Sequence, residues 1–304
     1  MMKTYLMAGV MVALVPGIAQ AAPYLATVGS PNSLQHSAVS TALNLSDIED
    51  IDEDGTGAYP QGDADTIGAA FTYWGAYGLE GQRYELRYQK AMRVSEGSRA
   101  RVLIDPVLNV LHANKGDTAT MGTLSAGVEL PVQPNWLITP RVAYGVTDAG
   151  RFFGSTSNDL LTLSATSRYR IAQVGRGDLT IGNMLGWSTT IKNGLGRDPR
   201  FYIKENVWTF RNGLAYQLPI KGRMLGGRQG SVRASYVWTK LTGDPQSYEN
   251  VHEAAISVGV RTREVEQKSG TEQLRVGLIY THGTNIGGSQ FGYDAVTLTV
   301  GYRF

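Results

Sequence analysis

The sequence predicts an all-β protein: a closed, antiparallel, twelve-stranded transmembrane barrel behind a short N-terminal arm. Three observations carry that expectation. Apolar and polar residues alternate through most of residues 66–304. The polar members of the alternation are rich in Arg, Thr, Ser and Gly. The apolar members include aromatics near strand ends, namely Trp136, Trp187, Trp208, Trp238, Tyr302 and Phe304. A period of two marks a half-buried strand. A soluble sandwich would alternate as well, but a crowded polar face opposite an apolar face with aromatic girdles is the pattern of a membrane barrel.

Composition narrows the alternatives. After residue 22 no stretch of 18 apolar residues occurs, so a membrane could be crossed only by a closed barrel, whose backbone groups are all paired. The chain has no cysteine, which excludes disulfides, thiol catalysis and thiolate metal sites. A net charge of +2 implies no bulk attraction to nucleic acid.

The N-terminus reads as a secretory signal peptide, residues 1–21. Lys3 precedes a nearly unbroken apolar run, and Ala19-Gln20-Ala21 forms a small-x-small cleavage site. The mature chain is expected to start at Ala22 and to be exported. Residues 22–65 then hold eight acids and no Lys or Arg, whereas residues 66–304 hold 27 basic and 18 acidic residues. A near-neutral total therefore conceals an acidic arm of −8 and a basic body of +9. Within the arm, residues 33–48 form a candidate helix that could lie in or plug a lumen: Ser33 can cap it, and Leu34, Ala38, Ala42, Leu45 and Ile48 share a stripe.

The strands follow in order. Ile67, Ala69, Phe71 and Tyr73 open the series; Tyr84, Leu86 and Tyr88 oppose Arg83, Glu85 and Arg87. Val102, Ile104, Leu108 and Val110 oppose Arg101, Asp105 and Asn109, and Leu124 to Leu130 oppose Ser125 and Glu129. Trp136, Ile138, Val142 and Tyr144 oppose Thr139 and Arg141; Leu161, Leu163 and Tyr169 oppose Thr162, Arg168 and Arg170. Leu179, Ile181, Leu185 and Trp187 oppose Thr180 and Ser188; Trp208, Phe210, Leu214 and Tyr216 oppose Thr209 and Arg211. Val232 to Trp238, Ala254 to Val260, Leu274 to Tyr280 and Val296 to Phe304 supply the last four outer faces, opposite Arg233, Arg261, Arg275 and Arg303. An even number leaves both barrel ends on the periplasmic side. Counting back from Phe304 places residues 131–135, 172–177, 220–230 and 263–271 at periplasmic turns, and 146–157, 190–200, 241–250 and 283–291 outside.

The final strand, with Tyr302 two residues before a terminal Phe304, resembles the C-terminal signature of Gram-negative outer-membrane β-barrels. That resemblance implies recognition by the barrel-assembly machinery through Tyr302 and Phe304, and outer-membrane lipids as neighbours. Twelve strands behind a candidate helix look like an autotransporter translocator domain, in which a helix threads the pore toward an exported passenger. Only 44 residues separate Ala21 from Thr66, too few for a passenger, so the expectation is a solitary autotransporter-like barrel.

Arg83, Arg87, Arg101, Arg141, Arg168, Arg170, Arg211, Arg233, Arg261, Arg275 and Arg303 all fall on the polar face. A lipid-facing Arg at mid-depth costs ~2–4 kcal/mol, so these belong in the lumen. Rings of positive charge select anions, which suggests a porin-like pore for small anionic solutes. The same arginines could instead pair with Glu85, Asp105, Glu129 and Glu253 as cross-links. The acidic arm is a further partner for them and could gate the lumen.

Asp50, Asp52 and Asp54 before Gly55 resemble the start of an EF-hand loop, but Gln61 replaces the bidentate Glu and no metal is expected there. A hairpin centred near Gln267 sets His252 opposite His282 on the outer face near the rim. A lipid-hydrolase site would need a neighbouring outward serine, and Ser257 points the other way. Arg176-Gly177-Asp178 falls in a periplasmic turn, out of reach of a host receptor. No Walker, Rossmann or zincin pattern appears, so no cofactor is expected. The expected role is non-enzymatic, as a scaffold or narrow channel. A lipid hydrolase and a surface protein acting through loops such as 146–158 are the alternatives.

Overall fold

The computed structural model describes residues 64–76, 79–113, 118–148, 157–191, 206–220, 230–244, 249–260, 274–284 and 292–303. Twelve strands form one closed antiparallel barrel. They are β1 (Ala64–Ala76), β2 (Leu79–Arg93), β3 (Arg101–Ala113), β4 (Thr118–Gln133), β5 (Trp136–Asp148) and β6 (Ser157–Val174), then β7 (Gly177–Ile191), β8 (Asn206–Pro219), β9 (Gly230–Gly243), β10 (Asn250–Val260), β11 (Leu274–Thr284) and β12 (Gly292–Arg303). Each strand pairs with its sequence neighbours, and β1 closes the cylinder against β12, with Thr66 opposite Arg303 and Gly75 opposite Asp294. The sequence reading of twelve alternating antiparallel strands is thus matched, with the first strand starting at Ala64.

The end of the barrel where β1 begins and β12 finishes is called the terminal end, and the opposite one the distal end. Two terminal-end turns are tight: β4 joins β5 through residues 134–135, and β6 joins β7 through 175–176. Gly175 at φ +68° and Gln173 at φ +60° supply the left-handed backbone of the second turn. Among the described residues, register shifts occur only beside these two turns, between Pro131 and Gln133 and between Ile171 and Val174. Elsewhere the ladders are uniform.

Carried from strand to strand, the registers bring Arg93 of β2 round to Leu79 of the same strand, a shear of 14 residues. With strands ~4.8 Å apart, twelve strands at that shear tilt by about 40° and set a backbone radius of about 12 Å. Such a bore is narrow enough for long side chains to cross-link its wall.

The two faces are inverted relative to a soluble protein. The outward residues are apolar and exposed, among them Leu86, Leu124, Leu163, Leu214 and Ile256, with Leu124 at 56%. The inward residues include buried Arg101, Arg141, Arg168, Arg211 and Arg233 with Thr139, Thr166, Thr180 and Thr209. Burying charge while exposing leucine is favourable only when the outer solvent is hydrocarbon.

Candidate functional site: the barrel interior

Nine of the eleven arginines expected on the polar face have described side chains, and all nine point inward: Arg83, Arg87, Arg101, Arg141, Arg168, Arg170, Arg211, Arg233 and Arg275. Arg303 lies in β12 at an inward register position, without a described side chain, and Arg261 lies outside the described residues. Among the described residues, five carboxylates share the wall with them: Glu85, Asp105, Glu129, Asp178 and Glu253.

The terminal half of the bore is a belt of charge. Glu129 is held by two guanidiniums, with Arg101 Nη2 at 2.5 Å from Oε2 and Arg168 Nη2 at 3.4 Å from Oε1. Arg170 Nη2 lies 2.5 Å from Asp178 Oδ2, and the Gln173 amide donates to the other oxygen of that carboxylate at 2.9 Å. This is the aspartate of the Arg-Gly-Asp tripeptide, so that motif is part of the turn's own ion pair. Arg275 donates from Nη1 to Ser257 Oγ at 2.8 Å and from Nη2 to Ser231 Oγ at 3.3 Å.

At mid-depth Arg141 pairs with Asp105, which also accepts from Ser125 Oγ at 3.1 Å, and Arg211 Nη2 lies 2.6 Å from Glu253 Oε2. Three of these pairs skip a strand: Arg141 of β5 reaches β3, Arg168 of β6 reaches β4, and Arg211 of β8 reaches β10. Gly127 on β4 explains the first. A Cβ there would stand 2.6 Å from Arg141 Cγ, so the bare backbone is the lane along which the arginine lies. The pairing read from the sequence as cross-linking is therefore present. Each pair satisfies groups whose burial alone would cost several kcal/mol. The hydroxyls of Thr162, Ser164, Thr166, Thr180 and Thr239 are buried without a partner among the described residues, as water-satisfied groups of a wet interior would be.

The distal half differs, and the sequence reading missed it. Leu111, Met121, Leu160, Val207, Leu241 and Val251 point inward near the distal ends of their strands and are shut off from solvent, Leu160 and Val207 at 0%. Trp74 joins them, its indole lying over Gly81, where a Cβ would meet the ring at 2.0 Å. The inner wall thus carries an apolar collar above an arginine belt, the belt itself interspersed with buried Leu103 and Leu137. Arg83, reaching Thr72 Oγ1 at 3.3 Å, stands at the border.

On the outer wall near the distal end, His252 and His282 are cross-strand partners, as the hairpin reading expected. The Tyr236 hydroxyl is 2.6 Å from His252 Nδ1. His282 Nδ1 is 2.7 Å from Asp294 Oδ1, which also accepts from Tyr280 at 2.5 Å. Ser257 faces the lumen, where Arg275 holds it. The outward Ser167 is on β6 and is engaged by Trp136 Nε1 at 2.9 Å, far from both histidines. Tyr302 sits on the outer face of β12, opposite Leu274 and Ile67. Phe304, the candidate helix 33–48 and the Asp50, Asp52, Asp54 cluster lie outside the described residues.

No family model and no curated protein matches this sequence. Solved structures match its fold. The translocator domain of autotransporter NalP from Neisseria meningitidis superposes with a TM-score of 0.54 at 15% identity, covering 91% of this chain and 99% of that one. The β domain of the Bordetella autotransporter BrkA superposes with a TM-score of 0.52 at 12% identity, covering 80% and 98%. The fold is an autotransporter-like twelve-stranded barrel, as the sequence resemblance implied.

Proposed function

We propose that this chain is an exported outer-membrane barrel that acts as a narrow, anion-preferring conduit, non-enzymatic, with its acidic arm 22–65 as the closing counter-charge. One observation carries the reading: nine inward arginines face five inward carboxylates, so the described wall is net positive after every pair is made. Fixed positive charge in a low-dielectric bore attracts anions and repels cations. The arm's eight acids supply the opposite charge within the same chain. The distal collar is a second barrier in series, since an apolar constriction excludes water and with it ions.

The surrounding lipids and the barrel-assembly machinery are the proposed partners, small anions the proposed solutes, and nucleic acid is not among them. Reconstitution into planar bilayers tests the reading. Small, anion-selective conductance steps are expected, and deletion of residues 23–60 should enlarge them. Cation selectivity would overturn the anion preference, and the absence of steps from both forms would leave a scaffold.

A lipid-hydrolase reading has one observation in its favour, the His282–Asp294 pair on the outer wall. Release of fatty acid from lipopolysaccharide or phospholipid by the purified protein, lost in His282→Ala, would establish it.

A further inference from the structure

We infer that the outer wall of β7 and β8 is a contact face for a second copy of this chain within the membrane. The starting point is a pair of amides in the wrong solvent. Asn183 stands at the middle of β7 and Asn212 at the middle of β8; they are direct cross-strand partners, and both side chains are exposed on the lipid-facing wall. Neither side chain makes a hydrogen bond to any described residue. Around them the wall is apolar and exposed: Leu185 at 47%, Phe210 at 43%, Leu214 at 49% and Trp208 at 45%.

Other polar side chains on the outer wall do not share this position. Lys240, His252, His282 and Asp294 lie near the distal rim and are paired there, and Ser167 is bonded to Trp136. Asn183 and Asn212 therefore face the hydrocarbon centre, where lipid tails offer neither donor nor acceptor.

A carboxamide donates and accepts at once, so it is its own complement. A two-fold axis along the membrane normal leaves depth unchanged. It therefore brings Asn183 and Asn212 of one copy to the depth of the same two residues in the other, as an isologous contact requires. Two walls tilted by about 40° cross when placed face to face and touch over one patch. The amides sit at the middle of such a patch, ringed by Leu185, Phe210 and Leu214, which matches the polar-glue arrangement of intramembrane contacts. A partner of another sequence would need a polar group at that one depth; a second copy has it by identity.

The absence of cysteine makes the test direct, because a single introduced thiol can form a disulfide only between chains. Asn212→Cys in the full chain, in proteoliposomes at low protein density, should give on mild oxidation a covalent species of twice the mass. It should exceed by tenfold or more the yield from Ala126→Cys, an exposed outward position at the middle of β4. Asn183→Leu with Asn212→Leu should keep the folded, heat-modifiable band and lose most of the energy transfer between labelled copies. The inference is overturned if Asn212→Cys dimerises no more than Ala126→Cys, or cross-links to a different protein in native membranes. It is equally overturned if the leucine pair leaves energy transfer unchanged.

Discussion

At the terminal end of the bore, Arg101 and Arg168 hold Glu129, Arg170 holds Asp178, and Arg233 and Arg275 also point inward; at the distal end, Leu111, Leu160, Val207, Leu241 and Val251 occupy inward positions. Both halves obey one alternation rule, and both pack their inward side chains closely, but by different physics. The terminal half is held by ion pairs that fail when one partner is removed. The distal half is held by apolar contact, which fails in proportion to the volume removed. On the conduit reading proposed above, the two halves would divide the work, with charge selection where the arginines are and exclusion of water where the collar is.

That contrast can be broken most forcefully at Glu129. Glu129→Ala strips the shared counter-ion from Arg101 and Arg168, both buried, and should destabilise the barrel by about 4 kcal/mol. Urea unfolding followed by the loss of the heat-modifiable band would measure it. Leu160→Ala acts on the other half, leaving a cavity worth about 3 kcal/mol without altering ion selectivity. If Leu160→Ala changed selectivity as much as Glu129→Ala, the two halves would not be separate devices. Arg233→Gln with Arg275→Gln removes two fixed positive charges from the inward wall while keeping side chains that can hydrogen-bond the Ser257 and Ser231 hydroxyls. The reversal potential in a salt gradient should move toward cations, and the difference from wild type should shrink as salt screens the wall. The smallest effect is expected at the closing seam. Thr72 and Thr297 share a hydrogen bond of 2.9 Å across β1 and β12, and Thr72→Val should cost about 1 kcal/mol by the same unfolding assay.

The alternation of a strand is a local property, and it is why so much of the fold could be read from the residues alone. Twelve strands, their facing and the inward arginines follow from parity. The His252–His282 pairing followed too, because a symmetric hairpin fixes register by simple counting. What escaped were properties of depth and of second neighbours. Leu160 and Arg168 lie on the same face of β6, and parity cannot say that one belongs to a collar and the other to a belt. Arg141–Asp105 and Arg211–Glu253 join strands that are not adjacent in the ladder, so neither hairpin register proposes them. Gly127 reads in sequence as one more small polar-face residue, and its purpose emerges only from the guanidinium stem lying over it. Asn183 and Asn212 each look like a blemish in an apolar face until their register makes them a pair.

The uniform ladders have a mechanical consequence. With register shifts confined to positions beside two turns, the cylinder contains no seam along which it can dilate, since widening would mean sliding every neighbour at once. Its gauge is fixed at the moment of closure between β1 and β12. Traffic through such a tube can be throttled only by what occupies it, and two such tubes can meet only as rigid drums, each presenting an unyielding curve to the other.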